Sequence, residues 1–172
     1  MKTKTIINLL IIVLVFAGLF VWGYSAKKGG TTASVQGVDG SNNSESSLTA
    51  SETIYDFGAI SMKNGDVNKE FMVTNPTAQD ITIKTMLTSC MCTTAFVVKS
   101  DGNTKGPFGM AGMGYVSAVD EIIKAGESRV IRVVYNPNAH GPAGVGRIDR
   151  FITLIDASGG EFQLEIKALV TP

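Results

Sequence analysis

Phe162-Gln163-Leu164-Glu165-Ile166-Lys167-Ala168 alternates apolar and polar side chains without a break. Successive side chains of an extended chain point to opposite faces, so Phe162, Leu164, Ile166 and Ala168 share one face while Gln163, Glu165 and Lys167 share the other. One dry face and one wet face is the pattern of an antiparallel sheet packed on a core from one side. Working outward, Val130, Arg132 and Val134 alternate in the same way with Ile131, Val133 and Tyr135. Period two recurs over residues 53–57, 67–74, 81–87, 92–98, 129–135, 147–155 and 162–170. Turn signals stand between them, in Asn64-Gly65-Asp66, Asn75-Pro76, Ala125-Gly126-Glu127, Asn136-Pro137-Asn138 and Ser158-Gly159-Gly160. About seven short strands at this spacing predict an all-β domain, an immunoglobulin-like antiparallel β-sandwich. The chain has neither the distant cysteine pair nor the core tryptophan of antibody domains, because Cys90 and Cys92 are close neighbours and Trp22 lies far upstream.

That upstream segment predicts one N-terminal transmembrane helix. Residues 6–22 are apolar except for Asn8, and Trp22 and Tyr24 suit the interface that follows. At 1.5 Å per residue such a helix spans about 26 to 29 Å, close to the hydrocarbon thickness of a bilayer. No small-x-small cleavage site follows it, so residues 1–24 read as an uncleaved anchor. No cysteine stands at its end to carry a lipid. Lys2 and Lys4 before the span balance Lys27 and Lys28 after it, so charge does not choose an orientation. Residues 25–50 are rich in Gly, Ser, Thr, Asn and Ala and read as a flexible polar linker. Residues 51–172 are the size of one domain with one core, expected to be monomeric in solution.

Charge and motif content exclude several classes of function. The domain carries eleven Lys or Arg against thirteen Asp or Glu, with no basic cluster, so nucleic acid is not an expected partner. His140 is the only histidine available to a Ser/His/Asp triad, and there is no Gly-x-Ser-x-Gly elbow or His-Glu-x-x-His segment. Gly144-Val145-Gly146 has no helix after it and reads as a hairpin turn, not a phosphate loop. Asp120-Glu121 reads as a solvated turn cap. No catalytic residue and no enzyme activity are expected.

Chemistry, if there is any, belongs to Ser89-Cys90-Met91-Cys92-Thr93, which holds the two cysteines of the chain. On a strand both thiols would point the same way, with Cα atoms about 6.6 to 6.8 Å apart. That is the upper edge for a disulfide, and closing one would require a bend or bulge. Three readings stay open. The cysteines could be small packing residues, a labile disulfide, or metal ligands. For a metal, thiolate and thioether donors select Cu(I), and Cys90, Cys92, Met110, Met113 and His140 would form the set if their loops converge.

The ordered landmarks Tyr55-Asp56-Phe57-Gly58-Ala59-Ile60, Phe71-Met72-Val73-Thr74-Asn75-Pro76, Ser89-Cys90-Met91-Cys92-Thr93, Lys124-Ala125-Gly126-Glu127-Ser128 and Val134-Tyr135-Asn136-Pro137 resemble a bacterial family of unknown function, DUF1573. The resemblance runs over about residues 53–170 and implies a relation to the immunoglobulin-like domains of the ASPM, SPD-2 and Hydin group, and an extracytoplasmic compartment. Two departures stand out. Met91 replaces the usual glycine between the cysteines, and a long Gly-rich segment occupies residues 99–119 where a short turn is usual. The combined expectation is a single-pass protein of the cell membrane, with its C-terminal domain outside. It would serve as a binding or scaffolding module for another envelope protein and would need no cofactor. The alternative is a tethered copper-binding or thiol-redox module built on Cys90 and Cys92.

Overall fold

The computed structural model describes residues 44–99, 101–115 and 117–172. The anchor expected over residues 1–24 and the linker up to residue 43 lie outside the described residues. Among the described residues no helix is long and apolar enough to cross a membrane.

Residues 43–172 form one compact unit, and its described part is all-β. Ten strands are present among the described residues: β1 (Thr49–Ala50), β2 (Ile54–Ser61), β3 (Val67–Thr74), β4 (Ile81–Thr88), β5 (Thr93–Val98), β6 (Thr104–Phe108), β7 (Ala118–Ile123), β8 (Ser128–Tyr135), β9 (Gly146–Asp156) and β10 (Glu161–Thr171). They make two five-stranded sheets, ordered β2-β10-β9-β4-β7 and β1-β3-β8-β5-β6. The seven expected strands are all there. The alternation that predicted them is the alternation that buries them: Leu164, Ile166, Ala168 and Val170 of β10 face Ile131, Val133 and Tyr135 of β8 and Phe71 and Val73 of β3 across one core.

One expectation about pairing is corrected. β2 runs parallel to β10, so the sheets are not purely antiparallel. Its register shifts where Lys167 pairs with Asp56 but Leu169 pairs with Ala59, leaving an extra residue on β2. Gly58 takes φ +68 at that bulge, and its N–H donates to Asp56 Oδ1 at 2.8 Å. A side chain at that φ is strained, which accounts for Asp-Phe-Gly at this point of the strand.

A second bulge changes the face of β4. Simple alternation would align Ile81, Ile83, Thr85 and Leu87, yet the buried residues are Ile83, Met86 and Thr88. The register slips between Ile83 and Thr85 against both β7 and β9, and the phase of burial slips with it.

Several segments read as connections are structured. The Gly-rich stretch contains β6 and the start of β7, which form the outer edges of the two sheets. Gly106 and Pro107 interrupt any strand pattern in β6, and an edge is where a sheet tolerates them. Asp120 and Glu121 lie within β7, not in a turn cap, and pair with Lys84 at 2.8 Å and Arg129 at 3.0 Å. Gly144-Val145-Gly146 is not a hairpin, because it ends a 3-10 turn that carries the chain from β8 in one sheet to β9 in the other.

Residues 44–50, assigned to the linker by composition, belong to the domain. Leu48 is buried in the core, Glu45 bridges Glu161, and β1 pairs with β3. Ser46 donates its hydroxyl to Asp156 Oδ2 at 2.6 Å. Asp156 also accepts from Ser158 Oγ at 2.5 Å and from the N–H groups of Ser158 at 2.8 Å and Gly160 at 3.0 Å. Burial opposes ionisation of this carboxyl, but the donors of Ser158, Ser46 and Gly160 outweigh it and hold the pKa below the usual aspartate value.

Candidate functional site

The cysteines do not lie on a strand. β4 ends at Thr88 in one sheet, β5 begins at Thr93 in the other, and Ser89 to Cys92 make the turn that crosses between them. The crossing is held from both sides. Ser89 N–H donates to Phe151 O at 2.9 Å, and Phe151 N–H donates back to Ser89 Oγ at 2.9 Å, which ties the turn to β9. Asn136 N–H donates to Cys92 O at 2.9 Å, which ties it to the end of β8. Thr93 N–H closes the turn on Cys90 O at 3.1 Å, and Thr88 Oγ1 donates to Cys90 O at 3.1 Å and Thr93 O at 2.9 Å. The side-chain bonds give Thr88 and Ser89 structural reasons to occupy their positions, while Thr93 and Asn136 contribute here through their backbone.

The turn brings the Cα atoms of Cys90 and Cys92 to 5.2 Å, inside the range that a disulfide needs, and the two are bonded. The bend foreseen as a condition for closure is therefore supplied by the sheet crossing. Cys92 is 2% exposed, Cys90 is half-buried, and Met91 between them points to solvent. The bulk of Met91 thus meets no neighbouring core.

Two nitrogen groups arrive at the sulfurs, one from the turn after β8 and one from β9. His140 Nε2 lies 3.2 Å from Cys90 Sγ. Arg150 Nε donates to Cys92 Sγ at 3.2 Å, and Cys92 N–H donates to Cys90 Sγ at 3.3 Å. The His140 loop is set by Asn136, whose Oδ1 accepts from Asn138 N–H at 2.8 Å, and by Asn138 Nδ2, which donates to Met62 O at 2.8 Å. Gly144 packs behind it, since a Cβ there would approach His140 Cβ at 3.3 Å and Pro137 O at 3.4 Å. Arg150 reaches the site because the Ser89–Phe151 pairing aligns β9 with the cysteine turn. Its guanidinium also donates to Asp149 O at 2.8 Å. Burial pushes the Tyr135 hydroxyl pKa up, and the nearby Arg150 charge partly offsets that rise.

Of the five residues expected as soft-metal ligands, Cys90, Cys92 and His140 meet, with ligand atoms all within 4.8 Å of one another. Met110 and Met113 stay 37% and 47% exposed on the turn between β6 and β7. That turn begins beside the site, where Thr88 N–H donates to Gly109 O at 3.3 Å. Arg150 was not expected. It stands on the inward face of β9, in phase with buried Ile148 and Ile152, and a charged residue at an inward position was the signal that could have marked it.

Other landmarks have structural roles. Asn75, 0% exposed, donates through Nδ2 to Gln79 O at 2.7 Å and Ile123 O at 2.9 Å, and its Oδ1 accepts from Thr77 Oγ1 at 2.7 Å and Thr77 N–H at 3.0 Å. Its backbone pairs with Glu127 and Gly126 at 2.9 Å each, so Asn75-Pro76 and Ala125-Gly126-Glu127 form a single knot.

The sequence profile of DUF1573, described as a protein of unknown function, matches residues 48–105. The match begins at buried Leu48, includes Cys90 and Cys92, and stops before His140 and Arg150. No curated protein matches the chain. Among solved structures, a protein of unknown function from Porphyromonas gingivalis W83 shares the fold at a TM-score of 0.52 and 15% identity, over 75% of this chain and 49% of that one. This chain thus spans about half the length of that relative. A family 123 glycoside hydrolase from Clostridium perfringens aligns at 0.43 and 6% identity, over 68% and 23% of the two chains. The CupB2 chaperone of Pseudomonas aeruginosa aligns at 0.39 and 12% identity, over 71% and 55%.

Proposed function

We propose that this chain is a membrane-tethered, immunoglobulin-like module of the cell envelope, its domain facing outward, that binds another envelope protein and exchanges disulfide and thiol with it through Cys90 and Cys92. The observation that carries the exchange chemistry is the pair of nitrogen partners at 3.2 Å, one on each sulfur. A structural staple accounts for them poorly. Closing a loop across two residues stabilises a fold by at most about 2 kcal/mol in the chain-entropy picture. The turn is already pinned by Thr88, Ser89, Thr93 and Asn136 without it.

In the forward step a thiolate of a partner dithiol attacks Cys90 Sγ, on the less buried residue of the pair. The S–S electron pair leaves with Cys92, whose thiolate forms beside the Arg150 guanidinium, and a mixed disulfide joins Cys90 to the partner. The partner's second thiolate then attacks its own sulfur in that bond and releases Cys90 as a thiolate beside His140. One disulfide and one dithiol have exchanged places, with two electrons moved and no other reactant consumed. A cation beside the leaving sulfur stabilises the charge that develops there. The partner is a protein with a dithiol or disulfide, and no resident cofactor takes part. The scaffold role expected from the sequence is kept as the binding half of this reading.

The test is thiol counting by alkylation and mass on the full chain in detergent, across a series of dithiothreitol buffers. The folded protein should pass reversibly between no free thiol and two, and Arg150→Gln should slow the opening. A pair that stays closed in excess reductant until the domain unfolds would leave a purely structural disulfide.

A further inference from the structure

We propose that the reduced domain binds one Cu(I) ion through Cys90 Sγ, Cys92 Sγ and His140 Nε2, with Arg150 as the charge-balancing neighbour. This rests on the preceding reading only in that the disulfide must open. The three donor atoms already lie within 4.8 Å of one another, and opening the S–S bond lets the two sulfurs part around an ion without moving β4 and β5, which flank their turn. Two thiolates and an imidazole are soft and borderline donors, the set that favours Cu(I) over magnesium, calcium or manganese. Structural zinc would require a fourth ligand, and the cluster has three.

Charge supports the same ion. Two thiolates around Cu(I) leave one negative charge, and the Arg150 guanidinium 3.2 Å from Cys92 Sγ supplies one positive charge. The site closes neutral in a half-buried setting, where an unbalanced charge is costly. Access is from the His140 side, because His140 is exposed and Cys90 half-buried while Cys92 forms the floor. The reactions balance: a dithiol reductant opens the disulfide and is itself oxidised. Cu(I) then displaces one proton from each thiol to solvent, with no change in its own oxidation state. Met110 and Met113 are left out of the site because they remain exposed on their turn.

The experiment uses the full chain in detergent under anaerobic conditions, titrated with Cu(I) in competition with a chromophoric Cu(I) chelator, with free thiols counted in parallel. Reduced protein should withhold one equivalent of Cu(I), and oxidised protein, Cys90→Ser and Cys92→Ser none. Loss of even an outer-shell partner weakens metal sites by 10- to 100-fold, so His140→Ala should weaken retention by about a hundredfold and remove the nitrogen shell from the X-ray absorption spectrum. Met110→Ala with Met113→Ala should change nothing. If two thiols are counted and no Cu(I) is withheld, the metal site is overturned while the exchange reading stands. If no thiols can be released in the folded protein, both fall. Unchanged affinity and spectrum in His140→Ala would remove the imidazole and overturn the three-ligand site.

Discussion

At the scale of single residues, the buried polar groups of this domain are satisfied by networks that can be tested one atom at a time. Asn75 serves four hydrogen bonds from a fully buried position. Asn75→Ala leaves the carbonyls of Gln79 and Ile123 without that donor, at about 1 to 3 kcal/mol for each group not rehydrated. Urea unfolding should show a loss of about 3 kcal/mol, and a change below the error of the measurement would mean that water replaces the side chain. Asp156 makes a prediction about pH. Its folded pKa is depressed by the donors around it, so its contribution is complete above the ordinary aspartate range and is lost as pH falls through the native value. Asp156→Asn should therefore be less stable than wild type at neutral pH, with the difference shrinking in acid. Parallel stability curves for the two proteins from neutral to acid pH would refute the network's electrostatic role.

At the scale of elements, the segment 44–50 shows how composition misleads. Ser, Glu, Thr and Ala resemble a linker, but Leu48 enters the core and Ser46 completes the Asp156 cluster. Burial of a leucine is worth about 2 kcal/mol and a hydrogen bond to a charged group about 1.5 to 3. A domain beginning at Ser51 should be less stable than one beginning at Ser44 by roughly 3 kcal/mol or more, as measured by chemical denaturation of both. Equal midpoints would show that β1 and the residues before it contribute nothing. The outer strand β6 illustrates the opposite case, in which Gly106 and Pro107 conceal a strand because an edge does not need every backbone donor.

At the scale of the whole molecule, the proposed topology and the autonomy of the domain are tested together. Protease applied to spheroplasts should cut before residue 43 and release a soluble fragment containing the compact unit 43–172. The far-ultraviolet circular dichroism of that fragment should be dominated by sheet, because two five-stranded sheets close one core between them. Protection of the domain until the cells are lysed would reverse the orientation, and a helical spectrum of the fragment would contradict the fold.

Much of this architecture was legible in the chain before any coordinates. Period-two alternation is local, and burial on one face of a strand requires it, so β3, β8, β9 and β10 could be read from their own residues. Asn-Pro and Ala-Gly-Glu likewise mark turns by backbone chemistry that needs no distant partner. The β4 bulge, the membership of residues 44–50 and the placement of Cys90 and Cys92 in a turn depended on register and sheet crossing, which are properties of several strands packed at once. The site shows this most clearly. The spacing of two cysteines raised a disulfide and a metal as alternatives, but His140 and Arg150 lie 50 and 58 residues away in sequence. Only the packing of two sheets, with Ser89 bound to β9 and Cys92 bound to the end of β8, brings one nitrogen to each sulfur.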